Sequence, residues 1–310
     1  MKFAAALAAL QVVQANMTAS IDDLKLLAMQ QHAEEQESNT VESNQAFSPV
    51  TLNINGQNYS YFVAAPFSSY GDARYYAPYN GRGYITSQNY LNQSNPAYLK
   101  LNLLGGSIEW DVDLSNHGCS CVAAFYLVRM PGHYQNGTNW MNTDGWGYCD
   151  ANKVNGNFCP EFDLMEANKF SWATTPHKCD SPTNYGFYNN CDAGGQCASN
   201  IVDKLAWNGY GPGGQYTIDT TRPFHAKVSF AKTNGQFSSY TTTLTQNGKT
   251  QSMTGNCSYL NALGWDMSGY MVPVVSNWSG GVDWLQKGRC QGGCNGPNLV
   301  ISNIRIVTGR

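Results

Sequence analysis

The sequence predicts an all-β fold, a sandwich or jelly roll, on three observations. From about residue 48 onward short apolar or alternating segments recur. Gly, Asn and Pro punctuate them, and no long helical period appears after residue 47. The chain has 310 residues, 42% of them hydrophobic, with 19 Tyr, 8 Trp and 31 Gly, a composition that supports one large core.

The elements follow in order. Residues 1–15 carry one Lys, a short apolar run and small residues ending at Ala15, the pattern of a secretory signal. Residues 16–47 are acidic and have no aromatic before Phe47. They are read as a flexible tail carrying a transient helix, with a cleaved propeptide as the alternative. Residues 48–310 are expected to form a single domain. Ser107–Leu114 alternates with period two, and Ala123–Val128 is a buried strand candidate. Phe224–Phe230, Tyr240–Gln246, Met271–Val275 and Leu299–Val307 are further strands, and Asn247-Gly248 signals a tight hairpin. Residues 130–158 and 178–215, rich in Gly and Asn, read as loops.

All ten cysteines lie after residue 118, and an even number in an exported chain reads as five disulfides of unspecified pairing. Sequons at Asn16, Asn58, Asn92, Asn136, Asn256 and Asn277 agree with a secreted glycoprotein. Net charge is −3 and no basic run exists, so neither nucleic acid nor an anionic membrane is an expected partner. No stretch is long and apolar enough to span a bilayer. No GxSxG elbow and no phosphate-binding Gly loop is present.

Chemistry concentrates at Glu161-Phe162-Asp163-Leu164-Met165-Glu166, three carboxylates within six positions of a chain only 13% charged. On a strand Glu161 and Asp163 share a face, whereas Glu166 falls on the other. One β-bulge between Asp163 and Glu166 would restore the phase. Paired carboxylates at fixed spacing are the machinery of retaining glycoside hydrolysis, one as nucleophile and one as acid/base. Asp163 between them would orient the nucleophile and oppose ionisation of its neighbours. A calcium site and a plain exposed strand are the alternatives, and no metal or other cofactor is expected.

The surrounding sequence carries a resemblance. Glu161–Asn168 with Thr175-Pro176-His177-Lys178-Cys179 resembles the signature of glycoside hydrolase family 7. Collinear matches follow at Leu103-Leu104-Gly105, Asp111–Ser115, Gly147-Tyr148-Cys149-Asp150, Tyr210-Gly211-Pro212-Gly213, Thr217–Thr221 and Ser302-Asn303-Ile304. The resemblance spans roughly residues 98–307. It implies a concanavalin-like β-jelly-roll of two antiparallel sheets with a cleft on the concave one. It also implies retaining hydrolysis of a β-linked glucan, most simply a β-1,4 cellulose-type polymer, by a secreted monomer. By position Glu161 matches the nucleophile, Asp163 the assisting carboxylate and Glu166 the acid/base. Asp150 and His177 match residues of the cleft, and Trp278 and Trp284 resemble its sugar-stacking tryptophans.

The chain departs from the family in being shorter, in having Met165 where Trp is usual, and in having Ala151 where Ser is frequent. The missing length falls in cleft-roofing loops, so an open cleft and endo action are expected. The sister family 16, acting on β-1,3(4)-glucans among others, is the alternative, as is a glucan transglycosylase. A non-catalytic wall-binding protein on the same fold is a third reading. Tyr126 is read either as a hydrogen-bond partner of the nucleophile or as core. Trp110 is expected in the core. Trp140 and Trp146 are divided between sugar stacking and loop packing, and Trp172 and Trp207 are left open.

Overall fold

The computed structural model describes residues 47–64, 68–70, 74–90, 97–130, 147–180 and 188–309. The signal segment, residues 16–46, Asn92, Asn136, Trp140 and Trp146 lie outside the described residues, and with them the readings placed there. The described strands are β1 (Ser48–Ile54), β2 (Gln57–Ala64), β3 (Ser68–Tyr70), β4 (Arg74–Ala77), β5 (Gly81–Thr86) and β6 (Leu101–Asn102). They continue with β7 (Ser107–Asp113), β8 (Cys121–Val128), β9 (Glu161–Ala167), β10 (Trp172–His177), β11 (Ser199–Asn200) and β12 (Tyr210–Gly211). The last are β13 (Ile218–Asp219), β14 (Phe224–Thr233), β15 (Gln236–Gln246), β16 (Lys249–Gly255), β17 (Ser268–Ser279) and β18 (Leu299–Val307). The described helices are short: α1 (Ile201–Lys204), α2 (Gly264–Met267), α3 (Asp283–Gln286) and 3-10 segments at Val154–Gly156 and Ser258–Leu263. No described helix is long and apolar enough to cross a membrane.

The described strands build the expected all-β layered fold, and its layers are joined. Hydrogen bonding runs unbroken in the order β11-β10-β9-β8-β17-β5-β2-β1-β18-β7-β14-β15-β16. The two layers are therefore one long sheet folded over on itself, and its β1–β18 step is parallel. Alternation explains the layers. Strand β7 buries Ile108, Trp110 and Val112 and turns Glu109, Asp111 and Asp113 outward, while β14 does the same with Ala226, Val228 and Phe230. Strand β8 is buried throughout, because both of its faces are covered.

The core lies between the layers. Trp110 meets Phe125 edge-on at 4.9 Å and lies 6.1 Å from Trp172, while Phe162 packs edge-on to Phe230 and Tyr240 at 5.3 and 5.2 Å. Full burial of each such ring contributes on the order of 2–3 kcal/mol relative to exposure. Trp172, left open by the sequence, is thus core, as Trp110 was expected to be. The Asn247-Gly248 hairpin is present, with both residues at positive φ (50° and 74°) as a type I′ turn demands.

Two readings are corrected. Four disulfides form, Cys121–Cys294, Cys149–Cys159, Cys179–Cys191 and Cys197–Cys257. Cys119 and Cys290 stand side by side as thiols, and burial with the neighbouring sulfur pushes Cys290 up to about 12. The sequon Asn277 is fully buried in β17, and its amide donates to Ala77 O at 3.1 Å and Pro297 O at 2.6 Å. It is a structural clamp with no room for a glycan, whereas Asn58 and Asn256 are exposed.

Candidate active site

The site is built by strand register. Facing partners on adjacent strands point to the same side of a sheet. On the side away from the main core, Val272, Val128, Glu161 and His177 form one cross-strand row. Tyr84, Val274, Tyr126, Asp163 and Thr175 form the next. Arg82, Ser276, Ala124, Glu166 and Ala173 form a third, with Trp278 beside Val122 beyond it.

Between the second and third rows β9 carries one residue more than either neighbour. Phe125 and Tyr126 of β8 face Met165 and Asp163, and β10 advances from Ala173 to Thr175 while β9 goes from Glu166 to Asp163. This is the expected bulge, centred on Leu164. Leu164 and Met165 consecutively enter the core, and Glu166 returns to the face of Glu161 and Asp163.

Each acid has a distinct setting. Glu161 is 5% and Asp163 4% exposed, whereas Glu166 is half-buried. Glu161 Oε2 accepts the Ala151 N–H at 3.1 Å. Asp163 Oδ2 lies 2.9 Å from His177 Nε2, and His177 Nδ1 lies 2.7 Å from the Asp192 carbonyl oxygen. With an oxygen opposite each nitrogen, the ring donates twice and is an imidazolium.

Burial pushes Glu161 well above the usual carboxylate range. The charges of Asp163 and Asp150 add to this, against the pull of His177 and the Ala151 N–H. Glu166 is raised well above that range too, by burial and then Asp163. Asp163 is raised by burial more than the His177 hydrogen bond and charge lower it. Burial acts to lower His177, but the Asp163 hydrogen bond, the charges of Asp163 and Glu161 and the Asp192 carbonyl outweigh it and bring it to about 10.

Glu161, Asp163 and His177 each bring a ligand-type atom within 4.8 Å of the others. A doubly donating imidazolium, however, has no lone pair to give a metal, so the group fits an ion-paired acid cluster better.

The other predicted residues divide. Tyr126 stands in the row of Asp163. Its hydroxyl meets Tyr148 Oη at 3.1 Å, and Tyr148 in turn donates to Asp150 Oδ2 at 2.8 Å. Asp150 Oδ1 accepts the Asn152 and Val154 N–H groups at 2.8 and 3.4 Å. Asp150 therefore folds the segment that delivers the Ala151 N–H to Glu161, and its buried charge adds to the field there. Trp278 packs half-buried against the second core cluster, on the face of β17 away from the main core, while Trp284 on α3 is 44% exposed. Trp207 is 71% exposed in the loop after α1.

Sequence reasoning missed Arg82. Its guanidinium lies 3.5 Å from the Tyr148 ring centroid, and its Nε is buried with no hydrogen-bond partner among the described residues. An Arg flanked by Gly81 and Gly83 in a short strand was the available signal.

Comparison with known proteins agrees with this geometry. The model of Glycosyl hydrolase family 7 matches residues 51–155 and 151–261. Endoglucanase EG-1 of Hypocrea jecorina is 30% identical over 283 aligned positions, covering 74% of this chain and 59% of its own length. Endoglucanase EG-1 of Trichoderma longibrachiatum is 29% identical with similar coverage. The chain thus spans about three fifths of the length of these relatives. A solved endoglucanase I complexed with cellobiose superposes with a TM-score of 0.71 at 19% identity, covering 86% of this chain and 98% of that one. A family 7 cellobiohydrolase from Daphnia pulex gives 0.64 at 17%, covering 87% and 98%. The two structures share the fold. With the family model spanning most of the described domain and its bulged acidic strand, the chain belongs to glycosyl hydrolase family 7.

Proposed function

We propose that the protein is a secreted, retaining glycoside hydrolase that cuts β-1,4-linked glucan within the chain. The carrying observation is the β9 bulge, which brings Glu161, Asp163 and Glu166 to one face beside a cationic His177. In this reading Glu161 attacks the anomeric carbon and forms a glycosyl-enzyme, while Glu166 protonates the leaving oxygen and then activates water.

The settings support that division of labour. Burial raises both glutamates well above the usual carboxylate range; what distinguishes them is that Glu161 accepts the Ala151 N–H, which favours its ionised form, whereas Glu166 faces burial and the repulsion of Asp163 against the pull of His177. The Asp163–His177 pair fixes the middle of the row and limits the net charge of the cluster. Trp278 and Trp284 would offer flat faces for sugar rings beyond the point of cleavage. The endoglucanase names of the relatives at about 30% identity support endo action on a glucan. The chain is taken to work as a monomer, with glycans at the exposed Asn58 and Asn256.

The test is a panel of β-1,4-, mixed-linkage and β-1,3-glucans and xylan, with product anomers followed by NMR. Mid-chain cuts in β-1,4-glucan with β-anomer released first are expected. Preference for β-1,3-glucan, release of cellobiose alone, or α-anomer first would each overturn part of the reading. Soluble sugar acceptors, with product masses recorded, separate hydrolysis from transglycosylation.

A further inference from the structure

His177 holds Asp163 by one nitrogen, and the other is held by a turn rather than by the sheet. That turn spans residues 192–196 and follows the Cys179–Cys191 bridge. It is organised by the Asp192 carboxylate, whose Oδ2 accepts the Gln196 N–H at 2.7 Å. Gly195 sits directly against the catalytic row. A Cβ there would come within 2.2 Å of Thr175 Cγ2 and 3.1 Å of His177 Cε1. The Gly195 φ of 64° lies in the left-handed region, so both the backbone and the close approach call for glycine.

One side chain ties this turn to β10. The Tyr259 hydroxyl lies 2.7 Å from Asp192 Oδ2 and 3.2 Å from Pro176 O, and it accepts the Lys178 N–H at 2.8 Å. Pro176 and Lys178 are the two chain neighbours of His177. Tyr259 therefore grips the backbone on both sides of the histidine and also the residue whose carbonyl receives its Nδ1–H. The 3-10 turn that carries Tyr259 begins just after Cys257, whose bridge to Cys197 fixes it beside the same segment.

We propose that Tyr259, acting with Asp192, is a positioning residue for the His177–Asp163 pair, and through that pair for the carboxylate row. The inference rests on the reading of Glu161, Asp163 and Glu166 given above. Tyr259 touches no reacting atom. It fixes the ring of His177 so that Nε2 stays on Asp163 and the imidazolium stays charged. Burial, and after it the Asp192 bond, raise the tyrosine itself, so its hydroxyl remains a donor at every working pH. The groups facing His177 are Asp163, Glu161 and Glu166 from β9, and Asp192 and Tyr259 from the outer side.

The test uses Tyr259→Phe and Asp192→Asn in the full chain, with two readouts. The first is kcat and KM on soluble β-1,4 cello-oligosaccharides across pH. The second is titration of His177 by NMR of the imidazole, which needs no turnover. For Tyr259→Phe, kcat about five- to tenfold lower with KM within about twofold is expected, with His177 titrating at lower pH than in the parent. Asp192→Asn, which keeps the main-chain acceptor but loses the charge, should move the titration the same way. Parental kcat together with an unmoved His177 titration in both variants overturns the proposal. A shifted titration in a protein whose parent form cleaves no glucan supports the positioning role and sinks the functional reading instead.

Discussion

The molecule carries the same histidine–carboxylate pair on two faces of its folded sheet. On the face of β9 away from the main core His177 Nε2 meets Asp163 Oδ2 at 2.9 Å, with side chains 8% and 6% exposed. On the outer face His225 Nδ1 meets Asp111 Oδ1 at 2.8 Å across the β14–β7 register, and both side chains are 35% exposed. The distances are nearly equal, yet the carboxylates move in opposite directions. The His225 hydrogen bond leads in holding Asp111 below its ordinary value, with burial opposing it, whereas burial wins at Asp163 and raises it. Asn303 gives Asp111 a second donor at 2.7 Å, and Lys227 and Arg305 surround the nearby Glu109. Solvent and spare donors make the outer pair an ordinary surface hydrogen bond, worth about 0–1 kcal/mol. Exclusion of water makes the inner pair one with shifted protonation, suited to acid–base chemistry.

The largest expected contrast is catalytic. Glu161→Gln should lower kcat/KM on β-1,4-glucan by about 10³-fold or more while leaving glucan binding measurable. Asp111→Asn should change it less than about twofold. Equal losses in the two variants would erase the distinction between the faces.

Next comes Asp163→Asn, expected to cost about 10²-fold in kcat, because it removes both the partner of His177 and the charge that keeps Glu166 protonated. His225→Gln on the outer face should stay within twofold, as steady-state rates would reveal.

Alkaline stability gives a third contrast. His177 has a folded value raised to about 10, so its stabilisation is complete below its ordinary value of 6.5 and is lost as pH rises toward 10. The raised carboxylates cost stability that sets in above their ordinary range, which adds to the same downward trend. His177→Gln should flatten the slope of unfolding free energy between pH 7 and 10, by up to about 1.4 kcal/mol per pH unit. His225→Gln should leave that slope in place. Urea melts at four pH values would decide between them.

The smallest expected effect lies at a buried histidine beside β17. His117 is fully buried, its Nε2 is 3.2 Å from Asn277 Oδ1, and its Nδ1 has no hydrogen-bond partner among the described residues. Burial lowers it to about 4 from 6.5, so the unfolded chain binds the extra proton in that window. Stability is lost as pH falls from about 6.5 to 4, and His117→Gln should reduce the loss by about 1–3 kcal/mol. An unchanged acid limb in thermal melts would show that His117 is not the group responsible.

Much of this was legible residue by residue. The alternation in Ser107–Leu114 specified which side of β7 is core. Two-residue spacing placed Glu161 with Asp163, and the mismatch at Glu166 demanded a bulge, which the register shows at Leu164. The chemistry of His177 was legible as a motif, but its bond to Asp163 was not, because β10 and β9 meet only by pairing. Asp150 read as a cleft residue, and its hydrogen bonds to Asn152 and Val154 within its own segment were not legible. Asn277 read as a glycan acceptor, but a sequon does not reveal burial. Five disulfides were expected from an even cysteine number, which does not state whether Cys119 and Cys290 bond.

Sequence alone determined the strand faces, the acidic strand and its required kink, because side-chain period and carboxylate chemistry are local properties of the chain. Tertiary structure decided how those acids hold their protons. The Ala151 N–H on Glu161, the Asp192 carbonyl on His177 and Tyr259, 67 residues from Asp192, reach the site only once the sheet has folded over. The low-dielectric surroundings that raise Asp163, where the same pairing lowers Asp111, exist only in the packed molecule.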